Sequence, residues 1–164
     1  MKKYFLLVLF LSVAQCYAQT LPSLKNVKLN KKVNYIETEP LVIKVVDYLY
    51  ATPIDKKNPS RTEAGQFLIN WMNGTPVHYF YLEEKQTDFF NTDSDLMLVY
   101  MAGFTKYVLQ NPSVKDQKIL VLGAMGLTLP YLDKQEDKKS WSKELWQLVD
   151  AHKRGMLEAY LYQK

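Results

Sequence analysis

The chain has 164 residues, of which 21 are Lys or Arg, 17 are Asp or Glu, two are His and one is Cys. This length fits one domain of ordinary size, and a single cysteine excludes an intrachain disulfide. Basic and acidic residues alternate, as in the run 133–139, instead of gathering into the basic patch that nucleic-acid binding requires. We therefore expect no nucleic-acid partner.

Residues 1–18 have the pattern of an export signal. Two lysines precede an apolar run of about ten residues, and Ala18 places a small residue at the cleavage position. The apolar run is about half the roughly 20 residues that a transmembrane helix needs. We therefore expect cleavage before Gln19 and a mature chain without a transmembrane segment, located in the periplasm or outside the cell.

Cys16 allows one alternative, in which it becomes the lipid-modified N-terminus of an anchored protein. The bulky Gln15 stands where a lipoprotein signal normally has a small residue, so cleavage before Gln19 is the preferred prediction. The mature chain then has 19 basic and 17 acidic residues and no cysteine, which excludes a thiol nucleophile.

The first half of the mature chain predicts an arm and two helices. Residues 19–36 show no sustained apolar period and are expected to form an extended, loosely attached arm. Pro40 suits the first turn of a helix that continues to Ala51. A second helix is expected from Ser60, as its capping residue, to a left-handed stop at Asn73-Gly74.

The segment Val77 to Glu84 is rich in strand-forming residues and has no helical period. Two interpretations remain open: one strand of a small hairpin that returns through residues 87–90, or an extended crossing over the helices. A short isolated hairpin has little stability without further support.

The second half predicts a buried helical hairpin followed by an outer helix. One helix is expected from Asp95 to Gln110 and the next from Ser113, and no charge occurs in residues 119–132. A helix that is apolar on all sides is buried on all sides. A further helix from Ser140 to Arg154 and a short helical turn over 156–162 follow.

The fold class predicted is all-α: a compact bundle of about five main helices with a central buried hairpin and one short extended segment. The expected organisation is a signal peptide over residues 1–18, the arm over 19–36 and the helical domain over 37–164.

Two stretches carry a resemblance. Residues 69–76, INWMNGTP, and residues 100–112, YMAGFTKYVLQNP, resemble small exported helical proteins of Bacteroidota-type bacteria with no assigned activity. These are packing motifs. The resemblance implies a fold and a location, and it implies no catalytic or binding residue.

Metal and catalytic motifs are weak. Asn91, Asp93 and Asp95 alternate like the start of a calcium loop, but the sixth position is Leu96 where Gly is needed and the twelfth is Ala102 where an acid is needed. A helix cap explains the same residues, so we expect no metal and no cofactor. The sequence leaves one enzymatic alternative, an acid–base hydrolase whose carboxylates are far apart in sequence, because their distance in the fold cannot be read from sequence.

Two groups of residues are candidates for ligand binding. The first is an aromatic platform for a glycan or peptide, formed by Tyr79, Phe80 and Tyr81 with Trp71 nearby in sequence. His78 is a separate candidate, with Glu83 or Glu84 as its possible partner across a turn. The competing interpretation is that these aromatic residues pack over the bundle.

The second group contains the glycines at positions 103, 123 and 126. A glycine inside a helix costs about 1 kcal/mol relative to alanine, so each needs a compensating reason. Close approach of the two central helices is one reason, and an open apolar groove for a small ligand is the other.

The sequence thus favours a non-catalytic exported interaction protein that binds an unknown envelope protein. The alternatives are a periplasmic carrier of a small apolar ligand and, behind it, a hydrolase.

Overall fold

The computed structural model describes residues 20–163, so the predicted signal peptide and its cleavage site lie outside the described residues. This part of the chain folds into an all-α bundle, which confirms the predicted fold class. Its helices are α1 (Lys32–Ala51), α2 (Pro59–Gly74), α3 (Glu84–Thr87), α4 (Ser94–Gln110), α5 (Gln117–Asp133), α6 (Lys143–Lys153) and α7 (Leu157–Tyr162). None of these helices is long and apolar enough to cross a membrane.

The helices α4 and α5 form the predicted central hairpin. The charge-free run of α5 places Leu120, Ala124 and Leu129 inside the protein, and Val99 and Phe104 of α4 are fully buried. Burying a large apolar side chain contributes about 1.5–3 kcal/mol, so this hairpin is a main source of the folding free energy.

Two apolar clusters make up the core. One joins α4, α5, α6 and α7, and the other joins α1 and α2 to Ala102 of α4. Two half-buried aromatic residues, Tyr50 and Phe80, pack against both clusters. The bundle is therefore continuous from α1 to α7.

The start of the first helix was predicted wrongly. Helix α1 begins at Lys32 and contains Pro40, so residues 32–36 are helical and not part of an extended arm. Proline removes one backbone hydrogen bond from a helix, but packing of the buried face, which includes Thr38 and Val42, keeps the helix continuous. The remaining arm is also attached, since four of its side chains pack against the α1–α2 cluster: Leu21, Leu24, Val27 and Leu29.

Three predicted helix starts differ by two or three positions from the observed capping residues. The N-cap of α2 is Asn58, whose side chain accepts from the amides of Ser60 and Arg61 at 3.0 and 3.3 Å. Helix α5 is capped by Asp116 instead of Ser113, and α6 by Ser142 instead of Ser140.

Gly74 is not the predicted left-handed stop. It is the last residue of α2, and Gly155 is the glycine with positive φ among the described residues. A Cβ at Gly74 would lie 2.8 Å from Cζ of Tyr35, so the tyrosine ring packs directly over this glycine.

The predicted return strand of a hairpin is absent. Residues 77–83 have no regular secondary structure, and Glu84–Thr87 forms the short helix α3, so residues 20–163 contain no strand. The extended crossing is the interpretation that fits. Side chains along this segment alternate, with His78, Phe80 and Leu82 half-buried and Tyr79 and Tyr81 exposed.

Candidate ligand-binding site

The helices α2 and α4 lie side by side and run in the same direction. The residues before them are joined by the ion pair of Lys56 Nζ and Asp93 Oδ2 at 2.8 Å. Further along, a Cβ at Gly65 of α2 would lie 2.8 Å from Cδ2 of Leu98 of α4. The Leu98 side chain therefore packs directly over Gly65, which has no side chain of its own.

A groove of about 770 Å³ follows this contact, and we call it the α2–α4 groove. Its apolar lining consists of Ile69, Met97, Leu98 and Met101. Thr62, Gln66 and Asn70 supply polar groups along α2. Small-molecule sites in proteins are typically clefts of about 300–1,000 Å³ with an apolar lining and a few polar groups, so the groove fits that description.

One end of the α2–α4 groove is charged and carries Arg61, which is only 2% exposed. Its Nη1 donates to the carbonyl oxygens of Leu49 and Thr52 at 2.8 and 3.0 Å. These carbonyls lie at the C-terminal end of α1, where a cation interacts favourably with the helix dipole. Arg61 therefore ties the start of α2 to the end of α1.

The other two nitrogens of Arg61 do not contribute to this tie between α1 and α2. Its Nε and Nη2 are buried and have no hydrogen-bond partner among the described residues. A buried donor without a partner costs about 1–3 kcal/mol, and more when the group is charged. This incomplete bonding distinguishes Arg61 from the other polar groups that line the groove.

A second depression, of about 750 Å³, lies beside this charged end and contains Tyr50 and Tyr131. The Tyr131 hydroxyl donates to the Thr52 carbonyl at 2.7 Å and accepts from Arg61 Nη1 at 3.3 Å. The pKa of Tyr131 is raised, mainly by burial. The Arg61 charge offsets part of this rise, and the Asp95 charge adds to it. Burial also raises the pKa of Tyr50, so both hydroxyls stay protonated at neutral pH and act as hydrogen-bonding groups.

The predicted aromatic platform is divided between the inside and the outside of the protein. Trp71 is fully buried, and its Nε1 donates to the Tyr35 carbonyl at 3.2 Å. Tyr79 and Tyr81 are 87% and 67% exposed on the outer side of the segment 77–83. Trp71 is thus a core residue, and the two tyrosines alone are available to a partner.

His78 is paired with an acid that the sequence did not suggest. Its Nε2 lies 2.8 Å from Oε1 of Glu39 on α1, instead of pairing with Glu83 or Glu84. Its ring lies beside that of Trp71, with 5.9 Å between centroids. His78 therefore fastens the extended segment to α1.

The three candidate glycines have different surroundings. A Cβ at Gly103 would lie 2.9 Å from the Ala124 carbonyl oxygen of α5, which is a close helix–helix approach. A Cβ at Gly123 would meet the ring of Tyr107, and one at Gly126 would meet nothing within 4 Å. None of the three lines the α2–α4 groove, and Trp71, His78, Tyr79 and Tyr81 do not line it either.

Asp93 acts as a helix cap. Its Oδ1 accepts from the Asp95 amide at 2.9 Å, and its Oδ2 accepts from Lys56 Nζ. Within residues 20–163 no cluster of three His, Cys, Asp or Glu side chains is placed to hold a metal ion.

Sequence reasoning missed Arg61 and Gly65. The signal for Gly65 was present, because a glycine inside a helix needs a compensating contact wherever it occurs. Burial of Arg61 had no comparable signal, since arginine on an amphipathic helix is normally exposed.

Compared with known proteins, the chain matches no protein-family model, no curated protein and no solved structure. The resemblance to small exported proteins of Bacteroidota-type bacteria therefore stays a prediction.

Proposed function

We propose that this protein is a non-catalytic binding protein that acts outside the cytoplasm and holds a small apolar ligand in the α2–α4 groove. The observation that carries the proposal is the groove itself, where Ile69, Met97 and Met101 line a cleft of about 770 Å³. An apolar ligand that enters this cleft would remove those side chains from water, which is favourable.

The proposed location rests on the export signal of residues 1–18, with a lipid anchor at Cys16 as the alternative. Inside an envelope compartment, a protein of this kind would act as a carrier of its ligand. We rank the carrier hypothesis ahead of the hydrolase hypothesis because the groove has a continuous apolar lining of Ile69, Met97, Leu98 and Met101. The hydrolase stays the alternative, since the carboxylates of Asp55 and Asp95 also line the groove.

The methionines provide a direct test. Met97 and Met101 line the groove, whereas Met72 and Met125 are buried in the core and Met156 is exposed elsewhere. We propose a titration of methyl-13C-methionine protein with 1-decanol, monitored by NMR. The expected result is that the Met97 and Met101 methyl signals shift in a saturable way while the other three stay in place.

Two variants make the titration specific. Met101→Gln keeps the side-chain length but removes apolar surface from the groove, and Met156→Gln makes the same change at a residue that is 50% exposed. Decanol affinity should fall for Met101→Gln and stay unchanged for Met156→Gln, with both variants checked for thermal unfolding. Equal affinities, or shifts spread over all the methionines, would contradict binding in the groove.

A second candidate function is protein interaction through residues 77–83. Tyr79 and Tyr81 are exposed, and of the backbone groups of residues 77–82 only the Tyr81 carbonyl has a hydrogen-bond partner among the described residues, Gln117 Nε2 at 2.5 Å. An extended segment with unpaired backbone groups can accept an added strand from another protein. This favours an extended peptide as the partner and the two tyrosines as its side-chain contacts.

Site-specific cross-linking tests this second candidate. A photoreactive phenylalanine analogue at position 79 should give one defined cross-linked product in the native envelope, and the same residue at position 146 should not. Trp146 is a matched control, because it is an exposed aromatic residue on α6. The same products from both positions would reject the segment as a specific interaction surface.

A further inference from the structure

The segment 77–83 has one backbone edge without hydrogen bonds. Its side chains alternate between half-buried and exposed, as in an extended strand. In an extended chain the N–H and C=O groups of successive residues point to opposite edges. The Tyr81 carbonyl accepts from Gln117 Nε2 at 2.5 Å, so the edge of the odd-numbered residues faces α5. The backbone groups on the opposite edge, which we call the free edge, have no partner within residues 20–163 and belong to His78, Phe80 and Leu82.

The free edge lacks the features that protect an unpaired strand. Proteins protect such edges with charged side chains, prolines or bulges, because an unprotected edge pairs with other chains. Residues 77–82 contain no Asp, Glu, Lys, Arg or Pro. They are instead rich in the aromatic residues that favour strands. The free edge is therefore suited to pair with a strand from another molecule.

The surface around the segment is apolar and exposed. Tyr79 and Tyr81 are 87% and 67% exposed. His78 ties the segment to Glu39 of α1, and Ile36, which is 43% exposed, lies one turn before Glu39 on that helix. Exposed apolar surface therefore continues from the segment onto α1, which is typical of a surface that another protein covers.

The free edge is complementary to a second copy of itself. Two copies placed antiparallel and centred on Phe80 would align position 78 with position 82 and position 80 with position 80. These are the residues whose backbone groups are unpaired, so the two copies could exchange N–H and C=O bonds at each of them. Tyr79 would then lie opposite Tyr81 of the second copy, and aromatic pairs across strands are stabilising.

The charges at the ends of the segment permit the same pairing. In this register Glu83 lies opposite Val77 of the second copy and Glu84 lies opposite Pro76, so no like charges meet across the two strands. A strand from a different protein would need residues of its own that fit this register, whereas two copies of one chain match by two-fold symmetry. The free edge therefore fits a second copy of the chain.

We propose that two copies of this chain form a dimer by pairing the free edges of residues 77–83 in an antiparallel arrangement centred on Phe80. This rests on the second candidate function and identifies its partner as a second copy of the chain. A two-stranded contact of this length buries less surface than a standard interface, so the dimer is weak and its population rises with protein concentration.

Sedimentation velocity over a range of protein concentrations measures the monomer–dimer equilibrium. The wild-type chain should shift from monomer towards dimer as its concentration rises. A photoreactive phenylalanine analogue at position 79 should cross-link to residues 77–83 of a second copy, as located by mass spectrometry of the product. A wild-type chain that stays monomeric up to near-millimolar concentration would overturn the proposal.

Charge variants at the two exposed tyrosines test the antiparallel register. Tyr79→Lys combined with Tyr81→Lys places like charges opposite each other, and should weaken the dimer about tenfold. Tyr79→Lys combined with Tyr81→Glu places opposite charges across both pairs, and should restore most of the affinity. In a parallel pairing position 79 would meet position 79, so both variants would repel. Equal dissociation constants for the two double variants would therefore overturn the register.

Trp146→Lys is the matched control, because it replaces an exposed aromatic residue on α6 by lysine. Its dimerisation should equal that of the wild type, and a loss as large as that of the double-lysine variant would place the contact elsewhere and overturn the proposal. A monomeric wild type whose position-79 analogue cross-links to a different protein in the envelope would reject the second copy and leave the second candidate function intact. If no defined product forms either, both fail.

Discussion

Gly103 of α4 faces Ala124 of α5 so closely that a Cβ at position 103 would lie 2.9 Å from the Ala124 carbonyl oxygen. The same Cβ would lie 2.5 Å from the Tyr50 hydroxyl oxygen, which bonds to the Val99 carbonyl and to Thr128 at 3.0 and 3.1 Å. Backbone and a bonded hydroxyl cannot move aside as the end of a flexible side chain can. The glycine is therefore required by the contact between the central helices.

Gly103→Ala should lower the free energy of unfolding by about 1–3 kcal/mol, because overpacking outweighs the better helix propensity of alanine. Gly126→Ala is the matched control on α5, since its Cβ would meet nothing within 4 Å. That variant should be as stable as the wild type or more stable by up to about 1 kcal/mol. Urea unfolding of both variants measures the difference, and equal midpoints would contradict the close-approach explanation.

Phe80 and Tyr79 are neighbours in the segment 77–83 with opposite environments. Phe80 lies edge-on to Trp71 and Phe104, with centroids 6.1 and 6.4 Å apart, whereas Tyr79 is 87% exposed. We expect Phe80→Ala to cost about 3 kcal/mol of unfolding free energy and Tyr79→Ala to change it by less than about 0.5 kcal/mol. A large effect of Tyr79→Ala in chemical denaturation would show that the tyrosine is a structural residue.

The sequence was sufficient to predict one part of the fold but not another. Apolar spacing and the charge-free run 119–132 were sufficient for the main helices and the buried hairpin, because helix burial depends on local periodicity. The same spacing did not reveal that α1 continues through Pro40, since packing of Thr38 and Val42 against other elements outweighs the local cost of proline.

The candidate site was less predictable, because it forms between helices that are separate in sequence. Gly65 and Leu98 meet only after α2 and α4 have packed together, and Arg61 is buried where the start of α2 meets the end of α1 and Tyr131 of α5. The residues that looked most unusual in sequence, such as Trp71 and Gly103, instead have structural roles in the core.

The pair of Asp93 and Lys56 predicts a pH-dependent contribution to stability. Burial raises the pKa of Asp93, but hydrogen bonds from Lys56 and the Asp95 amide outweigh it and hold the pKa below its ordinary value. A carboxyl with a depressed folded-state pKa stabilises the protein above its unfolded-state pKa, and this contribution is lost as the pH falls through the folded-state pKa.

We therefore expect Asp93→Asn to have a lower unfolding midpoint than the wild type at neutral pH, while retaining a side chain that can cap α4. The difference between the two proteins should shrink as the pH falls below about 4. Thermal unfolding across this range is the measurement. A difference that stays constant with pH would show that the charge of Asp93 does not contribute to stability.

The mature protein is predicted to begin at Gln19 and to carry no lipid, because Ala18 fits the cleavage position and Gln15 does not suit a lipoprotein signal. Intact mass and N-terminal sequencing of the exported protein measure this directly. A diacylated Cys16 would contradict cleavage before Gln19. It would also mean that the protein is anchored to a membrane and does not diffuse freely.

Binding of a small apolar ligand is tested most directly by native mass spectrometry of the protein purified from its own envelope. The proposed function predicts a non-covalent adduct that is released on denaturation and identified in the extract as a small molecule with an apolar chain. The adduct should be lost in Met101→Gln and retained in Met156→Gln. A bare protein mass for the wild type, with no apolar compound in its extract, would contradict the binding proposal.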